Sequence, residues 1–303
     1  MKSKLNLQES FKVQAISHVV LLFFALCAAL PFVLLVIASF TNSDWAQSNG
    51  FSFLPAQWSL DAYRYVMNEW ATIGRAYLMT ILATGIGTFL ALMITSLFAY
   101  AISHTDFPGM KLLNFMCIFT MLFNVGIVAS YYIWVRVFSV RDTFAALIIP
   151  GGMLMSAFNV MLFKNYFRSG IPDGILEAAR IDGAGEIRIF FQIVLPLSIP
   201  IIASLGLMIG IGFWNDWVNG LYYLSERNGS AYYTIQVVLN KINENIQFLS
   251  QNASSMGSMD TSNLPTTTAR MAIAVLGIAP ILIAYPFFQK YFVKGIMIGG
   301  VKE

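Results

Sequence analysis

Two groups of polar side chains interrupt a chain that is otherwise strongly apolar. The first is the stretch 164–200, KNYFRSGIPDGILEAARIDGAGEIRIFFQIVLPLSIP, which gathers Lys164, Arg168, Asp173, Glu177, Arg180, Asp182, Glu186 and Arg188 between two long apolar runs. Charges of both signs at helical spacing, broken at Gly183 and Gly185, suit a folded docking surface, whereas a connector between two spans could be far shorter. The second is FWNDWVNG at 213–220, where Asn215, Asp216 and Asn219 stand beside Trp214 and Trp217. Sugars are bound by amide and carboxylate hydrogen bonds combined with apolar contact to aromatic faces. Polar side chains also hold membrane helices together, so the cluster reads equally as a substrate path or as packing. Asn159 and Asn124 are weaker path candidates.

Other chemistry is excluded. No G-x-x-x-x-G-K-[ST] pattern is present, so the chain has no P-loop for ATP. No His, Cys or Asp cluster has metal-ligand spacing, no nucleophile stands near a base, and His18 and His104 are isolated. The chain is therefore expected not to be a catalyst and to carry no cofactor. Cys27 and Cys117 lie inside apolar runs and read as packing residues. A net charge of +3, scattered along the chain, gives no footing for nucleic acid.

The elements that must position these groups are membrane helices. Only 11% of the 303 residues are charged, against about a quarter in a soluble domain. Six apolar runs predict six transmembrane helices, at about 17–40, 73–102, 110–135, 143–166, 194–224 and 268–292, and so an all-α integral membrane protein. The first run is too long for a signal peptide and reads as a retained span. The expected organisation is a short segment 1–16, a six-helix transmembrane domain 17–292 and a tail 293–303. Its connecting parts are the polar loop 167–193 and two long outer loops, 41–72 and 225–267. With the termini inside, inner segments carry eleven Lys and Arg and outer segments seven, which places the polar loop in the cytoplasm. The 41–72 loop is rich in aromatics and reads as well as an interfacial belt as a functional surface.

Within the island, Pro172 suits the first turn of a helix, and Asp173 and Glu177 fall where negative charge is favoured. Glu177 and Arg180 are spaced to pair. Ile175, Ala178, Ala179 and Asp182 share one face, made shallow by its alanines, and Gly183 is placed to end the helix in a left-handed conformation. Gly151 and Gly152 after Pro150 predict a broken or closely packed fourth span. Gly206, Gly210 and Gly212 predict close helix contact along the fifth, with a second, homologous subunit as one possible neighbour.

The stretch EAARIDGAGEIRIFFQIVLP resembles the EAA loop of binding-protein-dependent ABC importer permeases. The motif is carried by Glu177, Ala178, Ala179, Asp182, Gly183, Ala184, Ile193, Leu195 and Pro196. FWNDW at 213–217, LPTTTARMA at 264–272 and the ending YPFFQKYFVKGIMIGGVKE are similar to carbohydrate permeases of the maltose-type family, most of all its complex-polysaccharide and oligosaccharide subgroup. The resemblance implies a MetI-like permease fold with a cytoplasmic coupling helix, in a bacterial or archaeal cytoplasmic membrane with both termini inside. It also implies a second homologous permease, two ATPase subunits that bind ATP and Mg, an extracytoplasmic solute-binding protein and a sugar cargo. Glu177, Ala178, Ala179, Asp182, Gly183, Ala184 and Pro196 would then couple to the ATPase. Against this stand an importer for a non-carbohydrate solute, an ion-coupled carrier and a membrane-anchored assembly or signalling subunit. An anionic solute would be expected to need more positive charge inside the spans. An ion-coupled carrier would be expected to show internal repeats, and none is evident.

Overall fold

The structure, a computed structural model, describes residues 11–104, 109–123, 125–252 and 267–300. These residues are helical almost throughout. In order they form α1 (Phe11–Ser39), α2 (Ser43–Asn49), α3 (Asp61–Asn68), α4 (Trp70–His104), α5 (Met110–Leu122), α6 (Gly126–Tyr132), α7 (Ala157–Gly170) and α8 (Asp173–Ile181). There follow α9 (Glu186–Ile189), α10 (Leu195–Leu197), α11 (Ile199–Trp214), α12 (Val218–Tyr223), α13 (Ile235–Asn252) and α14 (Thr267–Gly300). Extended pairing among the described residues is one isolated antiparallel bridge, Thr41 to Trp58.

Three helices hold continuous apolar spans, Val13–Ser39, Trp70–Ser103 and Thr267–Phe287. The other three expected spans are helix pairs that bend at a break: Met110–Leu122 with Gly126–Val137, Phe144–Gly152 with Ala157–Gly170, and Glu186–Leu197 with Ile199–Trp214. Counting each pair as one span gives the six expected. Two boundaries differ from the sequence reading. The fourth region is short 3-10 turns until α7 begins at Ala157, because Gly151 and Gly152 adopt φ of +79° and +73° there. The fifth was expected as one run over 194–224; instead it bends by 81° beside Ser198 and ends at Trp214. Pro196 and Pro200 lack the N–H groups that would carry helical bonding through this corner.

The described chain forms two compact units. One holds the described residues up to Glu69 and those within Ile242–Gly277, the other those within Trp70–Lys241 and from Ile278 onward. In the first unit, α1 is apolar on every side and almost wholly exposed up to Phe32, as a helix facing lipid must be. Much of the expected 225–267 loop is the helix α13, preceded by a 3-10 turn at Ser230–Tyr232, and its part 253–266 lies outside the described residues.

The core of the second unit is built around α4. Ile73, Ala76, Thr80, Ala83, Gly87, Ala91, Thr95 and Ala99 recur every three or four residues and are all buried, which gives α4 one smooth face of mostly small side chains. Small residues let neighbouring backbones approach closely: a methyl group on Gly87 would come 2.8 Å from the Phe213 ring of α11. Gly206 and Gly210 of α11 complete the same contact, opposite Leu92 and Thr88. Gly206 and Gly210 of the fifth-span stripe therefore pack within this chain, whereas Gly212 is exposed. On α7, Val160, Phe163 and Phe167 are fully buried in the same core.

Candidate coupling surface and transport path

The polar island folds as two helices around one turn. α8 begins at Asp173, so Pro172 sits one residue before the helix, with an extended ψ of 129°. Leu176 is the buried anchor of α8, packed in the same core as Phe163, Phe167 and Ile189. Ala179 is half-buried, while Ile175, Glu177, Ala178 and Asp182 are exposed, so most of the expected shallow face is open.

Gly183 ends α8 as expected, with φ of +79°. Its N–H donates to the Arg180 carbonyl at 3.0 Å, and the Ala184 N–H donates to the Ala179 carbonyl at 3.0 Å. This pair of bonds is the Schellman arrangement, which satisfies carbonyls the helix end would otherwise orphan. A methyl group on Gly183 would meet nothing within 4 Å. The requirement for glycine is therefore one of backbone conformation, not of space.

The expected Glu177–Arg180 pair does not form. The Gly183 turn folds the chain back and brings Glu186, at the start of α9, to Arg180. Arg180 Nε donates to Glu186 Oε1 at 2.7 Å and Nη2 reaches Oε2 at 3.4 Å. The Tyr100 hydroxyl of α4 donates to the same Oε2 at 2.5 Å. A carboxylate with two oxygens can accept the guanidinium fork and the phenol together, which a partner one turn away on the same helix could not match. The hydrogen bond to Glu186 holds the Arg180 guanidinium above its ordinary pKa. The Tyr100 ring lies 5.5 Å from Phe190 and 6.4 Å from Phe167, so the hydroxyl is presented from a packed base.

Beyond α9 the helix loosens into a π turn, Phe190–Val194, before Pro196 at the second position of α10. Pro196 cannot donate to the carbonyl four residues back, and the wider register accommodates the missing bond. Ile189, Phe190 and Val194 are buried by this turn. In contrast, Ile181 and Ile187 are 85% and 75% exposed on either side of Gly183. Large exposed apolar side chains among charges are the composition of a protein contact surface. The sequence reading missed Ile181, Ile187, Tyr100 and Glu186. Ile181 was in principle legible, since it lies off the face of α8 that Leu176 buries.

The second cluster does not stay together. Trp214 is buried, edge-on to Tyr77 at 6.2 Å between ring centres. Asn215 is exposed and accepts from Gln236 Nε2 at 3.2 Å. Asp216, expected inside a span, lies past its end and caps α12, where Oδ1 accepts from the N–H groups of Val218 and Asn219 at 3.1 and 3.2 Å. Its Oδ2 is buried without a hydrogen-bond partner among the described residues. Trp217 is exposed. Asn219 is buried and donates through Nδ2 to the Pro150 carbonyl at 3.3 Å, holding the broken stretch before α7. A methyl group on Gly151 would lie 3.3 Å from Asn219 Oδ1, so the left-handed glycine and the asparagine fit together.

Asn159 does line a cavity. With Gly151, Gly152, Ser156, Met208 and Gly212 it encloses about 280 Å³. Trp214 borders a different, more apolar cavity of about 390 Å³, with Thr84, Thr88, Gly206 and Gly210. Asn124 lies outside the described residues.

Broken spans around a small-residue core, with a helix–turn–helix island presented from buried anchors, define a multi-pass helical transport subunit. The chain belongs to the family described as binding-protein-dependent transport system inner membrane components, whose model matches residues 110–298. It is thus a permease subunit of an ABC importer. It is 39% identical over 282 residues to the polygalacturonan/rhamnogalacturonan transport system permease protein YtcP of Bacillus subtilis (strain 168), covering 93% of this chain and 95% of that one. It is 27% identical to the arabinooligosaccharides transport system permease protein AraQ of Halalkalibacterium halodurans, covering 92% and 93%. Among solved structures it is similar to a chain of a bacterial ABC transporter involved in the import of the acidic polysaccharide alginate. The TM-score is 0.76, with 30% identity over 93% of this chain and 97% of that one.

Proposed function

We propose that this chain and a second permease form the membrane path for an oligosaccharide or polysaccharide fragment. An extracytoplasmic solute-binding protein delivers the cargo, and two ATPase subunits that bind ATP and Mg drive import. The observation that carries the drive is the island: a Schellman-capped helix with exposed Ile181 and Ile187, tied through Arg180 and Glu186 to Tyr100 of α4. Movement of a bound ATPase would reach a span directly through this link. In this reading Glu177, Ala178, Ala179, Asp182, Gly183 and Ala184 form or shape the seat, and Pro196 directs the chain back into the membrane. The excess of Lys and Arg on the inner segments supports both termini and the island lying in the cytoplasm.

A saccharide cargo is supported by the relatives, whose names specify polygalacturonan, rhamnogalacturonan and arabinooligosaccharides. The alginate transporter handles an acidic polymer, so the proposed cargo includes acidic as well as neutral saccharides. For the path we propose the cavity at Asn159, with Asn219 fixing its Gly151 wall; Trp217 and Asn215, both exposed, remain candidates for its outer approach. The test is uptake of labelled oligosaccharides in cells with and without this chain, with ATP supplied or depleted. ATP-dependent loss of one glycan class on deletion is the expected result, and unchanged uptake of every glycan would contradict the reading.

A further inference from the structure

A third concavity is formed by the segment 40–64 of the first unit. Thr41 and Trp58 form the isolated bridge, with Asn42 N–H donating to the Gln57 carbonyl at 3.1 Å and Ser59 N–H to the Phe40 carbonyl at 2.8 Å. Asn42 Oδ1 caps α2, accepting from the N–H groups of Asp44 and Trp45. Ser59 Oγ donates to Asp61 Oδ2 at 2.5 Å, and Arg64 Nη1 donates to Asp61 Oδ1 at 3.1 Å. Beneath them the Phe40 and Tyr63 rings meet at 4.8 Å, and the Tyr63 hydroxyl lies 2.9 Å from Ser39 Oγ. The backbone is thus pinned, yet the Trp58 residue it carries is 59% exposed. Phe40, Asn42, Trp58, Ser59, Asp61 and Arg64 border a groove of about 570 Å³.

An exposed indole on a fixed backbone, with an amide, a hydroxyl, a carboxylate and a guanidinium in the same concavity, matches the two faces of a pyranose ring. The C–H face packs on the aromatic, and the ring hydroxyls exchange hydrogen bonds with the polar rim. An interfacial belt would account for Trp58 alone. Ser59, Asp61 and Arg64 also serve the start of α3, where the Asp61 N–H donates to Ser59 Oγ at 2.9 Å, and their exposed polar atoms border the same groove as Trp58. We infer that the groove is a saccharide-binding subsite on the extracytoplasmic side, taking one pyranose unit of the cargo. The inference rests on the saccharide-import reading above and on the orientation proposed with it.

The test is saturation-transfer NMR on the full chain in lipid nanodiscs, titrated with cellohexaose and with an oligogalacturonide of the same length. Saturable binding of at least one probe is expected, with half-saturation raised about tenfold in Trp58→Ala and nearly restored in Trp58→Tyr, which keeps an aromatic face. The tyrosine variant guards against a fold defect in the alanine one. Arg64→Ala is expected to weaken the oligogalacturonide more than the neutral probe. Equal titrations for wild type and Trp58→Ala, or binding of neither probe, would overturn the subsite. Uptake in cells separates the two readings. Saccharide uptake that needs this chain, without Trp58-dependent binding, overturns the subsite alone. Trp58-dependent binding without any saccharide uptake overturns the import reading alone.

Discussion

The island at 164–200 and the cluster at 213–219 are both short runs of polar residues in apolar surroundings, but they behave differently on folding. In the island most of the contacts that shape the turn are local, and the Tyr100 bond to Glu186 is the long-range exception. Gly183 caps the helix that precedes it, and Arg180 finds Glu186 six residues on. In the cluster, neighbours in sequence part company: Trp214 goes to Tyr77, Asn215 to Gln236, Asp216 to the start of α12 and Asn219 to Pro150. A helix end turns successive side chains outward in different directions, so adjacency there does not make a site. A motif whose contacts close within one turn can be read from sequence; one whose partners lie tens of residues away cannot.

The sharpest way to break this comparison is Gly183→Val. A β-branched residue at φ of +79° costs about 1–3 kcal/mol of backbone strain, enough to displace the turn. Uptake is expected to fall about tenfold or more while the complex still assembles, and Gly183→Asn is expected to be milder. Normal uptake by an assembled valine variant would show that the cap does not position the docking surface.

Next in size is Tyr100→Phe, which removes a hydrogen bond to the Glu186 carboxylate. Bonds to charged groups contribute about 1.5–3 kcal/mol, so uptake per ATP hydrolysed is expected to drop severalfold. Unchanged coupling would confine the link to a packing role.

Asn219→Ala probes the other region. It removes a buried donor and leaves the Pro150 carbonyl unpaired, a loss of about 1–3 kcal/mol. The expected readout is lower thermal stability of the purified chain with little change in apparent KM. A change in KM at full stability would instead make Asn219 a path residue. Asn159→Ala is expected to show the converse, an altered KM with stability nearly intact, because its side chain borders a cavity.

The smallest expected effect is in double-mutant cycles on the ion pairs. Arg180 with Glu186 is partly exposed and should couple by about 0.5–1 kcal/mol after solvent screening, and Arg180 with Glu177 by about zero. The reverse order would restore the pairing that helical spacing alone suggested.

How much was legible follows the same division. The six apolar runs, the Gly183 cap and the break at Gly151 all follow from local chemistry that the chain displays in order. The small-residue face of α4 is spread over 73–99 among large apolar residues, so its role appears only once α11 and α7 are laid against it. Glu186 displaced Glu177 as the partner of Arg180 because the turn at Gly183 brings it close, and spacing along one helix carries no information about that fold-back. The bend beside Ser198 was marked by Pro196 and Pro200, but proline gives the place of a break and not its angle.

The account turns on which partner the island meets. The most direct measurement replaces Ile181 with cysteine in a background with Cys27 and Cys117 changed to serine, and attaches a short photo-crosslinker in the assembled complex in membranes. A covalent adduct with the ATPase subunit, blocked when that subunit is absent, is the predicted result. An adduct with the extracytoplasmic binding protein, or labelling of Ile181→Cys by a reagent confined to the outside, would contradict the account.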